Sequence, residues 1–295
     1  MAVAAVLALV LTRGAGPGAA VFDVAGHPTG LVVTEDAVWV AMPGSGAVRA
    51  LHPVSGRQLG APLRTGGAPT RLAAGAAGLW VSDTARGAVI PIQHSPSKVY
   101  GAIAIGSDVT DLELAAGALW VASSAEGVVR IVESGGRPVL SAPVGADPVD
   151  VAAGGRWVVV AGAGSGSLTR FDARTRRRVG GPIVLGGVPV AAAVTGDVAW
   201  VADSDGGTVR RVDLLTGRPG GAPIQVGRRP IAVAADGQDV FVLSRGDRTL
   251  VHADGDSGEV LSRRPVGPDP AALALARDHV WVADSGNDTL MRFAR

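Results

Sequence analysis

A short tryptophan-centred pattern recurs along the chain at a nearly constant spacing. All six tryptophans begin a Trp-Val-Ala sequence or a close variant of it, and Phe241-Val242-Leu243 fills the one gap in the series. The seven copies begin at Trp39, Trp80, Trp120, Trp157, Trp200, Phe241 and Trp281. The successive separations are 41, 40, 37, 43, 41 and 40 residues. A period of this length indicates stacked supersecondary units.

Each repeat is predicted to contain four short strands. In six repeats a glycine followed by a proline two or three residues later marks a turn, as at Gly26/Pro28 and Gly227/Pro230. Valine, isoleucine and tryptophan then alternate with small or polar residues in short runs, which is typical of strands and not of helices. A Ser-Gly or Thr-Gly pair, as at Ser257-Gly258, precedes the fourth strand.

Four-stranded units repeated radially form a β-propeller. Seven copies predict an all-β, seven-bladed β-propeller with four-stranded blades over residues 21–295. The last repeat stops at Arg295 after its third strand, while residues 20–24 have the character of a fourth strand. We expect this N-terminal strand to close the ring as the outermost strand of the last blade, which removes an open sheet edge.

The tryptophans are predicted to be packing residues. On the second strand of each blade, an indole can wedge against the neighbouring blade and bury ~200 Å². The chain has enough apolar residues to fill seven such interfaces, because 47% of its residues are hydrophobic and 18% are charged. A chain of this composition folds into a packed structure.

Charge and cysteine content exclude several classes of function. With 27 basic and 26 acidic residues the net charge is +1, so the basic footprint of a nucleic-acid-binding protein is missing. The chain has no cysteine, which excludes disulfides, thiolate catalysis and cysteine-ligated zinc. We therefore expect no nucleic-acid partner.

The N-terminus carries a targeting signal in our interpretation. Residues 1–11 are apolar and are followed by the small residues Gly18-Ala19-Ala20. The run is shorter than the ~20 residues of a membrane span but fits the ~7–15 residues of a signal-peptide core. We interpret residues 1–20 as a signal peptide or the remnant of a membrane anchor, and expect an extracytoplasmic protein. No lysine or arginine precedes the run, so a cytoplasmic protein with a misassigned start is the alternative.

The repeat columns resemble those of seven-bladed YVTN and YncE-like propellers, and residues 282–289, Val-Ala-Asp-Ser-Gly-Asn-Asp-Thr, resemble an NHL repeat. The resemblance covers about residues 21–295 and implies the propeller fold. Propellers of this kind serve as extracellular sensor modules of receptor kinases, as binding scaffolds, and as lyases or lactonases. The resemblance therefore leaves the activity open.

The glycine-proline turns and the turns after the tryptophan strands are predicted to share one face, the top face, around the mouth of the central channel. Ligands usually bind at such a mouth. Blades three and four each contribute two carboxylates, and two arginines lie across the ring on blade six, so the mouth could orient a zwitterion or a cation. The alternative is that these aspartates cap local turns. The candidate ligand-binding residues are His27, Arg71, Asp108, Asp111, Asp147, Asp150, Arg228, Arg229 and Asp269.

Some of these residues also suggest a metal site. Hard divalent cations such as Mg²⁺ and Ca²⁺ prefer oxygen ligands, and the candidates are Asp108, Asp111, Asp147 and Asp150. Resemblance to streptogramin-lyase-like propellers implies a histidine base near such carboxylates, and His27 is the candidate on the rim. A lactonase-like set is not matched, because the single asparagine is Asn287 in a turn.

Other motifs are predicted to be structural. The repeated residues Asp83, Asp203 and Asp284 follow the tryptophan strands and suggest a turn role. Residues 255–258, Gly-Asp-Ser-Gly, occupy a hairpin column, so we do not interpret them as a serine nucleophile. Arg174 and residues 176–178 form a basic hairpin tip, which is either a solvated turn or a dock for a polyanion.

Two functions remain open at this point. The first is a non-enzymatic, exported or membrane-anchored binding scaffold or sensor, monomeric and without a cofactor, whose top face recognises a peptide, an envelope component or a partner protein. The second is a metal-assisted lyase or lactonase that uses the mouth carboxylates with His27. They differ in one requirement, since the enzyme needs a Mg²⁺ or Ca²⁺ ion.

Overall fold

The computed structural model describes residues 18–75, 78–94, 97–106, 108–133, 136 and 138–295. In these ranges the chain forms seven antiparallel sheets, and the helical residues are two short 3₁₀ turns, Pro43–Ser45 and Thr84–Arg86. The prediction of an all-β, seven-bladed propeller is confirmed.

Each sheet is one blade, and its first strand contacts the first strands of both neighbouring blades around the central channel. Blades one and two consist of Gly30–Val33, Val38–Met42, Ala47–Leu51 and Leu63–Arg64, and of Pro69–Gly75, Gly78–Asp83, Ala88–His94 and Ile103–Ala104, with Ser97–Val99 as an extra strand. Blades three and four consist of Val109–Ala115, Ala118–Ser123, Val128–Val132 and Pro138–Pro143, and of Pro148–Gly154, Trp157–Gly162, Ser167–Asp172 and Ile183–Val184. Blades five and six consist of Pro189–Thr195, Val198–Asp203, Thr208–Asp213 and Arg218–Gln225, and of Pro230–Asp236, Asp239–Ser244, Thr249–Asp254 and Val260–Pro265.

Blade seven joins the two ends of the chain. Its first three strands are Pro270–Leu275, His279–Asp284 and Thr289–Ala294, and its outermost strand is Ala20–Asp23 from the N-terminus. The register pairs Ala20 with Arg292. The predicted ring closure is confirmed, and the third strand of the last blade is not left as an open edge.

Seven hydrophobic clusters correspond to the seven blade interfaces. In one of them Trp120 of blade three packs with residues of blade four, and its ring centroid lies 5.3 Å from that of Phe171. In another, Trp281 of blade seven packs with Val38 of blade one. Trp120 and Trp281 are both fully buried. The predicted role of the tryptophan column as inter-blade packing is confirmed.

Trp157 departs from that column. The other column residues pair with the first strand of their own blade at an equivalent position, as Trp200 pairs with Ala193, but Trp157 pairs with Gly154 at the end of the hairpin. Val159 holds the column position in blade four, opposite Ala152. The prediction that Trp157 belongs to the common column was wrong by two residues, which explains the unequal separations of 37 and 43. A shift of two keeps the side chain on the same face of the strand, so the indole still packs against blade five and donates a hydrogen bond to Asp197 Oδ1 at 2.7 Å.

The aspartates that follow the second strands hold the top-face turns. Asp203 Oδ1 accepts the backbone N–H of Val188 at 2.9 Å, and Asp284 Oδ1 accepts that of Asp269 at 2.8 Å. A Cβ atom on Gly267 would lie 1.8 Å from Asp284 Oδ2, so only glycine fits there. Asp83 is equally buried but lies 3.5 Å from Arg86. The predicted turn role is confirmed for Asp203 and Asp284.

Most of the predicted targeting segment, residues 1–17, lies outside the described residues. Within the part of the chain that the structure describes, no helix has the length and apolar character needed to cross a bilayer. The first described strand begins at Ala20, which is the last of the small residues at the end of that segment.

Candidate functional site

The first strand of each blade lines the channel, and one position on these strands differs sharply among the blades. It lies two residues after the last residue of the top-face turn. In six blades it pairs with the corresponding residue of the second strand. From blade one to blade seven this channel position is occupied by Gly30, Arg71, Asp111, Asp150, Ala191, Ala232 and Ala272. Charge is therefore confined to blades two, three and four.

Arg71, Asp111 and Asp150 form one polar group. The Nε atom of Arg71 lies 3.8 Å from Asp111 Oδ1. The Arg71 guanidinium also faces two backbone carbonyls at 3.4 Å, those of Thr29 and Thr110 in the flanking blades. Asp111 shares a side-chain hydrogen bond with Asp150. Of the predicted ligand-binding residues, these three are brought together.

The two aspartates also tie adjacent blades. Asp111 Oδ2 accepts the N–H of Val151 in blade four at 2.9 Å, and Asp150 Oδ2 accepts the N–H of Ala192 in blade five at 2.8 Å. One oxygen of each carboxylate therefore accepts a hydrogen bond from a backbone N–H of the next blade. Asp111 Oδ1 remains on the side of Arg71 and the channel.

Glu113 joins this group and was missed by the sequence analysis. It lies two residues after Asp111 on the same strand, so both side chains project from the same face into the channel. The strand sequence Val-Thr-Asp-Leu-Glu-Leu alternates polar and apolar residues, and this alternation was the available signal. The other blades have valine or alanine at the position of Glu113.

The carboxyl groups are held close to protonation. Burial raises the pKa of Glu113 to about 8, and the negative charge of Asp111 adds to the effect. Burial and the charge of Asp111 raise the pKa of Asp150 well above its usual range. Burial also raises the pKa of Asp111, although the Arg71 guanidinium opposes the change. A proton retained on Glu113 at neutral pH lowers the negative charge of this group.

The opposite wall of the channel is apolar. Blades five, six and seven present short aliphatic side chains such as Val190, Ala234 and Leu273, and blade one adds Leu31. The cavity between the two walls has a volume of about 500 Å³. A molecule that enters it meets charged hydrogen-bonding side chains on one side, and small aliphatic side chains with the strand backbone between them on the other.

Four of the predicted rim residues share a backbone conformation that marks a turn position. His27, Asp108, Asp147 and Arg229 have φ values of 55°, 61°, 52° and 50°. They occupy the same place in the top-face turns of blades one, three, four and six. The repeated geometry belongs to the turn itself, and these residues are exposed at the rim without converging on the channel group.

His27 is bound to blade seven. Its backbone N–H donates to Asp288 Oδ1 at 2.6 Å, and its ring Nδ1 lies 3.3 Å from the carbonyl oxygen of Ser285. The side chain is 68% exposed. The structure therefore assigns His27 a place in the seam between the first and last blades, apart from Asp111 and Asp150.

The remaining rim charges are engaged in local ion pairs. Arg228 Nε lies 2.7 Å from Asp247 Oδ1 in the same blade. Asp269 Oδ1 accepts from Arg245 Nε at 2.8 Å. These pairs offset the charges of Arg228 and Asp269, while Arg229 stays exposed on the same turn of blade six.

A resident divalent metal ion does not fit the described residues. In those ranges no three histidine, aspartate or glutamate side chains are arranged to hold an ion. Asp108 Oδ2 accepts a hydrogen bond from the Ser124 hydroxyl, and Asp147 is exposed on the neighbouring turn. The four predicted metal ligands thus separate into two channel residues and two rim residues.

The basic hairpin and the Gly-Asp-Ser-Gly sequence lie elsewhere. Arg176 pairs with Glu133 of blade three at 2.9 Å, while its three arginine neighbours are exposed on the bottom face, which carries the hairpins between first and second strands. Ser257 donates its hydroxyl to Asp254 Oδ1 at 2.6 Å inside a hairpin turn. The hairpin interpretation of residues 255–258 is confirmed.

Comparison with known proteins identifies the fold. No protein-family profile and no curated protein sequence matches this chain. Among solved structures, a catalytically inactive variant of virginiamycin B lyase from Staphylococcus aureus with quinupristin superposes with a TM-score of 0.81 at 13% identity, over 94% of this chain and 99% of that one. Kuenenia stuttgartiensis hydrazine synthase gives 0.80 at 15% identity, over 93% and 97% of the two chains.

A WD40 propeller domain superposes about as well. The WD40 β-propeller domain of Doa1 superposes with a TM-score of 0.78 at 14% identity, over 95% of this chain and 98% of that one. At these identities the likeness shows the seven-bladed fold, which is compatible with a binding scaffold and is shared by enzymes and scaffolds alike. The resemblance to YVTN and YncE-like repeats is not confirmed by a family match.

Proposed function

We propose that the protein is a binding scaffold that takes a positively charged group into the mouth of its central channel. The observation that supports this proposal is the division of the channel into a carboxyl wall on blades three and four and an aliphatic wall across the ring. The ligand class that fits is an ammonium or guanidinium group on an apolar stem. Lysine and arginine side chains of a peptide or partner protein have this chemistry.

The electrostatics support a cation over an anion. Three carboxyl groups, Asp111, Asp150 and Glu113, face a single guanidinium, that of Arg71. A cation at this wall favours the ionised carboxylates, so binding releases the protons that burial retains on Glu113 and Asp150. Affinity for a cation should therefore increase as the pH rises toward 8.

The cellular setting is part of the proposal. Residues 1–20 favour an exported or membrane-anchored protein, in which a sensor or scaffold would meet peptides and envelope components on its top face. The protein-binding role is in keeping with the scaffold neighbours. A cytoplasmic interaction module with the same channel is the alternative.

A metal-assisted lyase has less support from the geometry. His27 is held in the seam between blades one and seven, and the two channel aspartates each use one oxygen to bind backbone N–H groups. We therefore derive no catalytic step through a metal ion.

The test is calorimetric titration with benzylamine, which carries an ammonium group on an aromatic stem, and with benzyl alcohol as the neutral analogue. We expect benzylamine to bind and benzyl alcohol to bind much more weakly. Asp150→Asn and Glu113→Gln should each weaken benzylamine binding by about tenfold, the effect of losing ~1.4 kcal/mol. The heat should change between buffers of different ionisation enthalpy because protons are released.

The matched control is Asp147→Asn, which removes a rim carboxylate from the same blade as Asp150. Equal binding by all of these variants, or equal binding of benzylamine and benzyl alcohol, would contradict the proposal. A parallel thermal-shift series with EDTA, Mg²⁺ and Ca²⁺ tests the alternative. Stabilisation by either ion that Asp111→Asn abolishes would favour the enzyme.

A further inference from the structure

Trp80 stands apart from the other tryptophans in its exposure. Trp39 is 7% exposed, and Trp120, Trp157, Trp200 and Trp281 are 2% exposed or less, whereas Trp80 is only partly buried. It packs at the edge of the cluster between blades two and three, beside Ile103 and Leu114. The residue holds the common column position, so its exposure reflects what lies next to it.

At two other interfaces a neighbouring element packs closely against the indole. The backbone of Gly255 in blade six approaches Trp200 so closely that a Cβ atom would lie 2.5 Å from the ring. Phe22 covers Trp281, with ring centroids 5.4 Å apart. Beside Trp80 there is instead a pocket of about 790 Å³, open on the bottom face between blades two and three.

The pocket is built mainly from apolar side chains. Blade two supplies Trp80, Pro91 and Ile103, and blade three supplies Leu114 and Leu119. The volume is within the range of ~300–1,000 Å³ that small-molecule sites occupy. An exposed indole in such a space offers a flat surface on which another planar group can stack.

One end of the pocket is polar and has a lysine beside it. The Tyr100 hydroxyl donates to Gln93 Oε1 at 2.8 Å, and both residues line the rim. Lys98, the only lysine in the chain, places its Nζ 4.7 Å from the centre of the Tyr100 ring. No aspartate or glutamate is among the described lining residues, so nothing in the lining neutralises this ammonium group.

We propose that this pocket binds a small amphipathic anion, with a flat aromatic body on Trp80 and a carboxylate or sulfonate directed to Lys98. The site lies on the bottom face and uses none of the channel residues. Evidence against the proposed cation site would therefore not count against this pocket. The two sites select ligands of opposite charge.

The test uses two fluorescent probes that share an aromatic body. 1-Anilinonaphthalene-8-sulfonate carries a sulfonate, and N-phenyl-1-naphthylamine does not. We expect the sulfonate probe to bind the folded protein and to quench tryptophan emission by energy transfer. Lys98→Glu should weaken its binding by about tenfold through charge reversal at the rim, and should leave the neutral probe nearly unchanged.

Two more variants test the aromatic wall. Trp80→Leu removes the stacking surface and should weaken both probes by about tenfold. Tyr100→Asp changes a residue that is 42% exposed, so the fold tolerates it, and it should weaken the anionic probe selectively. Thermal unfolding of each variant checks that the propeller is intact.

Arg218→Glu is the matched control, because it reverses an exposed positive charge on the outer strand of blade five. It should leave both probes unaffected. The proposal is overturned if the sulfonate probe does not bind the native protein, or if its affinity is the same in wild type, Lys98→Glu and Tyr100→Asp. Equal weakening by Arg218→Glu would also overturn it, since the attraction would then be nonspecific.

Discussion

Two parts of the ring differ at the same strand position. Blades two, three and four place Arg71, Asp111 and Asp150 on the channel, while blades five, six, seven and one place alanine or glycine there. The uniform part shows that the propeller closes with small side chains at this position. The charged part therefore carries charges that ring closure does not need at this position, although Asp111 and Asp150 also bind backbone N–H groups of the next blade. Such departures from local consistency mark functional positions.

The second departure falls in the same part of the ring. Trp80 of blade two is partly exposed beside a pocket, whereas Phe241 and Trp281 of blades six and seven are buried to 1% and 0% exposure. Blades two to four thus hold the charged channel group and the Trp80 pocket, whereas blades five to seven and blade one supply the aliphatic side of the channel. This division has measurable consequences for stability.

The largest effect concerns the packing of the two parts. We expect Trp281→Ala to lower the free energy of unfolding by ~3–5 kcal/mol, because it leaves a cavity in a filled interface. Trp80→Ala should cost clearly less, about 1–3 kcal/mol, because its ring is already partly in contact with solvent. Urea unfolding of both variants measures the difference. Equal losses would show that the two interfaces are packed alike.

The next effect concerns Asp150. Replacing it with alanine leaves the N–H of Ala192 without its acceptor and should lower the free energy of unfolding by ~1–3 kcal/mol. Asp150→Asn keeps an acceptor oxygen and removes a carboxyl whose pKa burial raises, so at pH 8 this variant should match or exceed wild type in stability. Asp147→Asn on the rim serves as the control. If Asp150→Asn were as destabilised as Asp150→Ala, the charge itself would be structural.

The last effect is a pH dependence of stability, which is small over any one pH unit. In the folded protein Glu113 keeps its proton up to a pKa of about 8, whereas the unfolded chain releases it near the ordinary value of 4.5. Between these values the folded state binds more protons, so the free energy of unfolding falls as pH rises, by at most ~1.4 kcal/mol per pH unit for this group. The loss is complete above the folded pKa.

Glu113→Gln should flatten this dependence between about pH 5 and pH 8, measured by urea unfolding at several pH values. Glu259→Gln, on an exposed turn of blade six, is the matched control and should keep the wild-type slope. An unchanged slope in Glu113→Gln would mean that Glu113 is ionised in the folded protein.

The fold was predictable because the same pattern of strands and turns recurs in each of the seven copies of the repeat. The tryptophan column, the glycine-proline turns and the missing fourth strand of the last repeat together predicted seven blades and the closure by Ala20–Asp23, and all were confirmed. Trp157 was misplaced because residue identity alone cannot distinguish a two-residue shift on the same face of a strand.

The site was predictable only in part, because ion pairing is not visible along the sequence. Arg228 and Asp269 were predicted to act at the mouth, but their partners Asp247 and Arg245 come from turns about 20 residues away in the chain. Glu113 was detectable from its alternation with Asp111. The exposure of Trp80 depends on the neighbouring blade, which no property of its own repeat reveals.

The strand that closes the ring also fixes a direction. Ala20 pairs with Arg292 near the bottom end of blade seven, and the strand then runs upward to Asp23 beside the top-face turn. The strand therefore enters blade seven on the side opposite the channel mouth. A surface joined to the chain at this end of the strand would lie opposite the channel mouth and on the same side as the Trp80 pocket.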